Sequence, residues 1–253
     1  MIRLSANLGF LWNDRPLPDA IRAAKAAGFS AVECHWPYGE EAGAVAAALA
    51  ETGLPMLGLN TAKGRPGEFG LSALPGREEE ARAAIDEAFF YGASIGARAV
   101  HVMAGASKGV AGAAETFDAH LRYACDRAAT RGMGVLIEPL NHRDAPGYFL
   151  DTLEGAAAIV RRLGCPDLSI MFDCYHLQIM GGDLIRRFEA HRDLIGHVQI
   201  AAVPSRAEPD EGEIDTPRLL RAFDAVGYAG FVGAEYRPRG SVEEGLGWMA
   251  SVV

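Results

Sequence analysis

The sequence has few cysteines, few basic residues and no long apolar run. Four cysteines are scattered through 253 residues without a Cys-x-x-Cys pair, which argues against a disulfide framework or a zinc cluster. Lys and Arg number 24 against 33 Asp and Glu, and the net charge of −9 gives no basis for general binding to nucleic acid or anionic membranes. The longest uncharged apolar stretch, residues 42–50, is about half the length of a transmembrane helix. We therefore expect free thiols, a cytoplasmic protein, and neither a nucleic-acid nor a membrane partner.

Two local signals are also missing near the start of the chain. The run MIRLSANLGFLWNDRP is interrupted by polar and charged residues at positions 13–15 and has no small-residue cleavage site, so it predicts a first strand and not a signal peptide. No Gly-rich phosphate turn follows that strand in residues 5–13, which disfavours an open dinucleotide-binding sheet.

Strand-like runs alternate with helix-like segments along the whole chain. The predicted strands cover residues 4–10, 31–35, 56–60, 99–103, 135–139, 169–173, 197–200 and 231–235. The segments Asp151-Thr152 and Asp215-Thr216-Pro217 are predicted N-caps of two of the helices between them, the second with proline just inside the helix. The last helix is predicted from Val242, Leu246, Met249 and Val253.

Eight such units of roughly 32 residues each have room for a strand, a helix and two short loops. Strands that alternate with helices pair in parallel. The pattern predicts an α/β fold, a single-domain (β/α)8 TIM barrel over residues 1–253, with an open doubly wound sheet as the alternative.

Four consecutive predicted strands end in side chains that could bind a metal. In a barrel of this kind, the ends of the strands form the active site. Buried carboxylates are unfavourable by several kcal/mol when unpaired, and a divalent cation would pair with several at once. Oxygen ligands favour Mg²⁺ or Mn²⁺ over zinc. The four residues are Glu138, Asp173, Gln199 and Glu235. The alternative is that each is an isolated polar residue bonded to a neighbouring backbone group or arginine.

Several segments, in order, resemble one known family. They are SANL at 5–8, LPGREEE at 74–80, IEPLNHRDAPGYFL at 137–150, FDCYHLQIM at 172–180, GHVQIAAVPSRAEPDEGEID at 196–215 and GAEYRP at 233–238. Together they resemble the hydroxypyruvate isomerases, within the xylose-isomerase-like sugar isomerases and epimerases. The resemblance implies a TIM barrel with one divalent cation, Mg²⁺ or Mn²⁺, held by Glu138, Asp173, Gln199 and Glu235. Gln199 distinguishes the chain from ketose 3-epimerases, which typically have His at that ligand position.

The resemblance also implies a reaction and a substrate. The expected substrate is a small hydroxy-carbonyl acid: hydroxypyruvate is interconverted with 2-hydroxy-3-oxopropanoate (tartronate semialdehyde) through an enediolate. A divalent cation spreads the negative charge of that intermediate. Glu138 and Glu235 would be the catalytic pair, acting in turn as base and acid.

Three further residues are candidates for substrate binding. By resemblance, His176 in the Asp-x-x-His segment would bond a substrate oxygen, and Arg206 would bind the carboxylate of a keto acid. His101 could face the same cavity. From the residues alone, His176 could instead cap a turn, Arg206 could be a solvated surface residue, and His101 could be a satisfied histidine inside the barrel.

Other functions stay open at this point. A 2-oxo-tetronate isomerase, or another sugar or keto-acid isomerase or epimerase, could use the same site with a different 63–71 loop. A metal-dependent apurinic endonuclease shares this barrel, but its three-zinc chemistry needs several more histidine ligands. A non-catalytic binding protein would be expected to lose a carboxylate at strand five or eight, and both are present. The sequence is also compatible with a homo-oligomer.

Overall fold

The computed structural model describes residues 2–252 and contains eight parallel strands. They are β1 (Arg3–Asn7), β2 (Ala31–Glu33), β3 (Gly58–Asn60), β4 (Ala99–His101), β5 (Gly134–Ile137), β6 (Leu168–Asp173), β7 (Ile195–Ile200) and β8 (Phe231–Ala234). Each coincides with one of the eight predicted strands. The hydrogen-bonded order β2-β1-β8-β7-β6-β5-β4-β3 pairs the first strand with the last.

The two ends of this sheet meet, which confirms the barrel and rules out the open doubly wound sheet. Leu57 N donates to Val32 O at 2.7 Å, and Cys34 N donates to Gly58 O at 3.1 Å. These bonds join β2 to β3, and we call this junction the seam. The barrel is therefore one closed domain.

Helices follow the strands around the outside. They are α1 (Leu17–Ala26), α2 (Ala42–Thr52), α3 (Glu78–Ser94), α4 (Ala113–Ala129), α5 (Leu153–Leu163), α6 (Cys174–Met180), α7 (Leu184–His191), α8 (Thr216–Ala225) and α9 (Val242–Gly245). The predicted caps are confirmed: Thr152 Oγ1 accepts from Gly155 N, and Asp215 Oδ1 accepts from Arg218 N, both at 3.1 Å. Within residues 2–252, no helix is both long and apolar enough to cross a bilayer. All four cysteines are free thiols.

The last predicted helix is only partly α-helical. After one turn in α9, residues Leu246–Ser251 form a 3₁₀ helix, and Val253 lies outside the described residues. Gly245 and Gly247 weaken an α-helix here, and Leu246 and Met249, three residues apart, also fit a 3₁₀ turn. Trp248 anchors the segment: it is buried, and its Nε1 donates to Tyr236 Oη at 3.3 Å.

The interior of the barrel is unusually hollow. A cavity of about 300 Å³ runs through its lower part, below the ends of the strands. TIM barrels usually fill this space with large branched side chains. Here many lining positions carry small residues, among them Gly58, Ala99, Gly134, Ser169 and Gly196. The buried polar side chains at the strand ends therefore lie above a cavity lined in part by small residues.

Candidate active site

The predicted site residues converge where β4 to β8 end. A cavity of about 510 Å³ opens there, and Glu138, Glu235 and Arg206 line it together with His101 and His176. Asp173 and Gln199 lie just beneath, only 1% and 2% exposed, on paired positions of β6 and β7. Asp173 Oδ2 is 3.6 Å from His176 Nε2 and 3.9 Å from Arg206 Nη2. All seven residues singled out from the sequence thus belong to one region.

Three oxygens in this region are buried without a hydrogen-bond partner among the described residues. They are Glu138 Oε1, Asp173 Oδ2 and Gln199 Oε1. Leaving a buried acceptor unpaired costs about 1–3 kcal/mol, so three such atoms on successive strands indicate a site built for an electropositive group. Side-chain atoms of Glu138, Asp173 and His176 also lie within 4.8 Å of one another, a close group that does not include the predicted ligand Glu235. The donor set of carboxylate and amide oxygens fits a hard divalent cation.

Crowding of negative charge shifts the pKa of two of these carboxyls upward. Burial is the main cause for Glu138, whose pKa lies well above its usual range, and the charges of Glu235 and Asp173 add to the effect. Burial, followed by the charge of Glu235, raises the pKa of Asp173 to about 7. A bound cation would favour the ionised form of both groups.

The pKa of Glu235 is shifted downward instead. Burial opposes its ionisation, but a hydrogen bond from His35 and the charge of Arg206 outweigh burial and lower the pKa of Glu235 to about 2. Arg206 Nη2 is 3.0 Å from Glu235 Oε1, and His35 Nε2 is 3.5 Å from the same oxygen. Two carboxyls with pKa values pushed apart in one cavity are suited to acid and base roles.

Arg206 is a fixed part of the site and not a solvated surface residue. Its guanidinium carbon lies 4.9 Å from the ring centroid of Phe10 and 4.8 Å from that of Tyr175. Nη1 pairs with Asp144 Oδ2 at 3.2 Å, and Nη2 pairs with Glu235. The side chain is nine-tenths buried, and its Nε has no partner among residues 2–252. That N–H can therefore donate to a ligand.

His176 is oriented as a hydrogen-bond donor. Asn141 N donates to His176 Nδ1 at 3.0 Å, so Nδ1 carries no proton. Burial and the charge of Arg206 lower the pKa of His176 to about 3, which keeps the ring neutral. A neutral ring with an unprotonated Nδ1 carries its proton on Nε2. Nε2 faces Asp173 Oδ2 and lies 3.9 Å from Glu138 Oε1, so it points into the site, while Nδ1 holds the loop after β5.

His101 lies at the end of β4 and lines both the upper and the lower cavity. Its Nδ1 is 3.3 Å from Asn60 Oδ1 and 3.6 Å from Glu138 Oε2, while Nε2 has no partner in the described part of the chain. Burial lowers the pKa of His101 to about 4. His101 is therefore not a fully satisfied barrel histidine.

Sequence reasoning did not assign several residues that complete the site. His35 follows β2 and reaches Glu235, and the strand-end rule could have identified it. Asn141 and Asp144 lie in the loop after β5, where no periodic pattern marks them. Glu33, the last residue of β2, accepts a bond from Gln199 Nε2 at 3.2 Å.

Comparison with known proteins identifies the family of this chain. A family model described as "Xylose isomerase-like TIM barrel" matches residues 21–252. This chain belongs to that family. One relative in the family, the 2-oxo-tetronate isomerase of Cupriavidus necator, is 43% identical over 254 residues, 98% of each chain. A human relative named "Putative hydroxypyruvate isomerase" is 41% identical over 262 residues, which cover 99% of this chain and 95% of the human one. The resemblance drawn from the sequence is confirmed.

Solved structures in the comparison share the barrel. A crystal structure described as AP endonuclease, family 2, from Brucella melitensis is 42% identical, with a TM-score of 0.95 over 99% of this chain and 98% of that one. A 3-keto-D-glucoside 4-epimerase from E. coli is 24% identical, with a TM-score of 0.82 over 99% of this chain and 100% of that one. The second similarity concerns the fold alone.

Proposed function

We propose that this protein is a divalent-metal-dependent isomerase that interconverts hydroxypyruvate and 2-hydroxy-3-oxopropanoate. The observation that carries the proposal is the set of three buried oxygens without partners, on Glu138, Asp173 and Gln199, beside the ionised Glu235. The isomerase names of full-length relatives support the same reaction class. We place the reaction in the cytoplasm, with a small keto acid as substrate and no nucleic-acid partner.

Glu138, Asp173, Gln199 and Glu235 would hold one Mg²⁺ or Mn²⁺. When bound, the cation would stabilise the negative charge that develops on substrate oxygens. The remaining chemistry falls to the chain itself: a proton leaves the hydroxymethyl carbon of hydroxypyruvate and one returns to the neighbouring carbonyl carbon, while the hydroxyl oxygen loses its proton and the former carbonyl oxygen gains one.

The pair of carboxyls would carry that proton transfer. Glu235 is ionised and suits the first base, Glu138 would exchange a proton with the neighbouring carbon, and the reverse reaction exchanges their roles. His176 Nε2–H would donate to the substrate carbonyl oxygen. Arg206 would favour a carboxylate over a neutral sugar, through its charge and its free Nε–H. His101 would contact the substrate from β4.

A substrate panel tests the proposal. Protein stripped with a chelator is supplied with Mg²⁺ or Mn²⁺ and given hydroxypyruvate, a 2-oxo-tetronate or a neutral ketose, and products are followed by NMR. We expect turnover of the keto acids only after metal is restored. Full activity in the stripped protein would end the metal assignment, and faster turnover of the ketose than of either acid would end the substrate assignment.

A 2-oxo-tetronate isomerase is the second candidate, favoured by the relative at 43% identity. The two substrates differ in length by one carbon, so the residues at the mouth of the cavity decide between them. Trp36 and Phe69 line that mouth, and Lys63 Nζ lies 4.3 Å from the ring centroid of Trp36. The ratio of kcat/KM for the two acids decides which is preferred.

The endonuclease description of one similar structure names a different reaction. The described residues contain one group of candidate metal-binding side chains, Glu138, Asp173 and His176, and its only histidine is a donor. The net charge of −9 also opposes binding to DNA. Incubation with a plasmid that carries abasic sites tests this reading, and we expect no strand cleavage.

A further inference from the structure

The side-chain amide of Gln199 is bonded on one side only. Its Nε2 donates to Glu33 Oε2 at 3.2 Å, whereas its Oε1 is buried and has no partner in the described structure. A carboxylate accepts hydrogen bonds and donates none, so the amide must turn its NH₂ toward Glu33. This orientation leaves the amide oxygen, the atom that can bind a cation, free on the other side.

Glu33 is itself held firmly. The oxygen that accepts from Gln199 also accepts from His197 Nε2 at 2.8 Å, and the other carboxylate oxygen lies 3.5 Å from Ser5 Oγ. Gly233 provides the space for this carboxylate, because a Cβ at that position would lie 2.0 Å from Glu33 Oε1. The surroundings therefore fix where the acceptor sits.

Packing alone does not fix the orientation of the Gln199 amide. The Gln199 side chain borders the lower cavity of about 300 Å³, so it is not enclosed by other side chains on every side. The terminal torsion of a glutamine is broad and roughly two-fold. A half-turn would exchange the amide oxygen for an NH₂ group, which cannot bind a cation. The hydrogen bond to Glu33 is what selects between the two orientations.

We propose that Glu33 is a positioning residue for the metal site: it accepts the Gln199 amide N–H and thereby presents Gln199 Oε1 to the divalent cation. The inference rests on the ligand set of the proposed function. Outer partners that orient metal ligands typically change metal affinity by about 10–100-fold when they are removed.

Mn²⁺ titrations of metal-stripped protein by calorimetry test the inference. Glu33→Met removes the acceptor at similar length and should weaken Mn²⁺ binding by about 10–100-fold. Glu33→Gln keeps an amide oxygen that can accept from Gln199, and should stay within a few-fold of the unmodified protein. Ser5→Ala is the matched control, because Ser5 contacts the same carboxylate without contacting Gln199, and it should bind Mn²⁺ normally.

A double-mutant cycle separates positioning from general damage to the fold. Gln199→Met should weaken Mn²⁺ binding at least as much as Glu33→Met, and Glu33→Met should cause no further loss in the Gln199→Met background. Normal affinity in Glu33→Met, or losses that add in the double variant, would overturn the inference while leaving the metal site intact. An unmodified protein that binds no Mn²⁺ would overturn the proposed function and this inference with it.

A measurement on the unmodified chain covers the case in which Glu33→Met does not fold. In a ¹⁵N–¹H spectrum, we expect a Gln199 side-chain N–H that is shifted downfield and protected from solvent, both before and after addition of Mg²⁺. A freely exchanging amide at the ordinary position would contradict the inference.

Discussion

Glu138 and Glu235 have the same side chain, yet their surroundings shift the pKa in opposite directions. Glu138 is buried among other carboxyls, whereas Glu235 lies within reach of both Arg206 and His35. The difference comes from the charged neighbours of each residue: carboxyls around Glu138, and Arg206 with His35 beside Glu235. At the scale of single residues, the charged groups around a carboxyl, and not the residue type, determine whether it is ionised.

Replacing Glu235 with Gln tests its role as the base. The change keeps the size of the side chain and an oxygen that can bind a metal, but removes the group that takes the proton. We expect kcat to fall by about 10²–10⁴-fold, with the fold and most Mn²⁺ binding retained. Glu211→Gln, at an exposed position paired with Arg239, is the control and should be fully active. A nearly normal rate in Glu235→Gln would refute the assignment.

Replacing Arg206 with Ala tests recognition of the substrate carboxylate. Loss of a charge-assisted hydrogen bond should raise KM for hydroxypyruvate by about 10–100-fold, with a much smaller effect on a neutral triose. Arg143→Ala, at the edge of the same cavity, is the control. Equal losses for the acid and the triose would show that Arg206 does not distinguish them.

At the scale of elements, α6 begins at the candidate metal ligand that ends β6. Asp173 Oδ1 accepts from Tyr175 N at 2.8 Å and caps the helix, while Oδ2 faces the site. One side chain thus connects the strand, the helix and the cation site. His176, on the first turn of α6, takes its position from the same cap.

Substitutions at Asp173 should separate these two roles. Asn retains a capping oxygen without the charge, whereas Ala loses both. In metal-free protein we expect Asp173→Ala to be less stable than Asp173→Asn by about 1 kcal/mol, measured by urea unfolding. Both should bind Mn²⁺ poorly. Equal stability of the two variants would show that the cap contributes nothing.

The sequence predicts the secondary-structure elements more completely than it predicts the residues of the candidate site. Periodicity located all eight strands, because parallel strands and amphipathic helices leave strong local patterns. The same periodicity misjudged the last helix: its apolar residues are spaced four, three and four apart, but Gly245 and Gly247 weaken an α-helix and a 3₁₀ helix forms instead. The strand-end rule found the candidate ligands. It could not find Glu33 as a partner of Gln199, because that contact joins residues 166 positions apart and depends on the closure of the barrel.

At the scale of the whole molecule, a bound cation should stabilise the fold. Ions that bind only the native state add about 2.7 kcal/mol at 100 times Kd. For a chain of this size, that corresponds to a rise in Tm of roughly 5–10 °C. We expect Mn²⁺ to produce this shift in the stripped protein and to produce little in Glu138→Gln. An equal shift in that variant would place the ion elsewhere.

The seam has a further consequence for how the barrel moves. All four candidate ligands lie at the ends of β5 to β8, whereas the seam between β2 and β3 is on the other side of the barrel. A cation would therefore hold β5 to β8 directly and would reach β2 only through the contacts of Glu33 and His35. Amide protons of Val198 and Phe172 should show a larger slowing of exchange with deuterium on addition of the ion than that of Leu57, on the β3 side of the seam. Local opening of the barrel is then expected mainly at the seam.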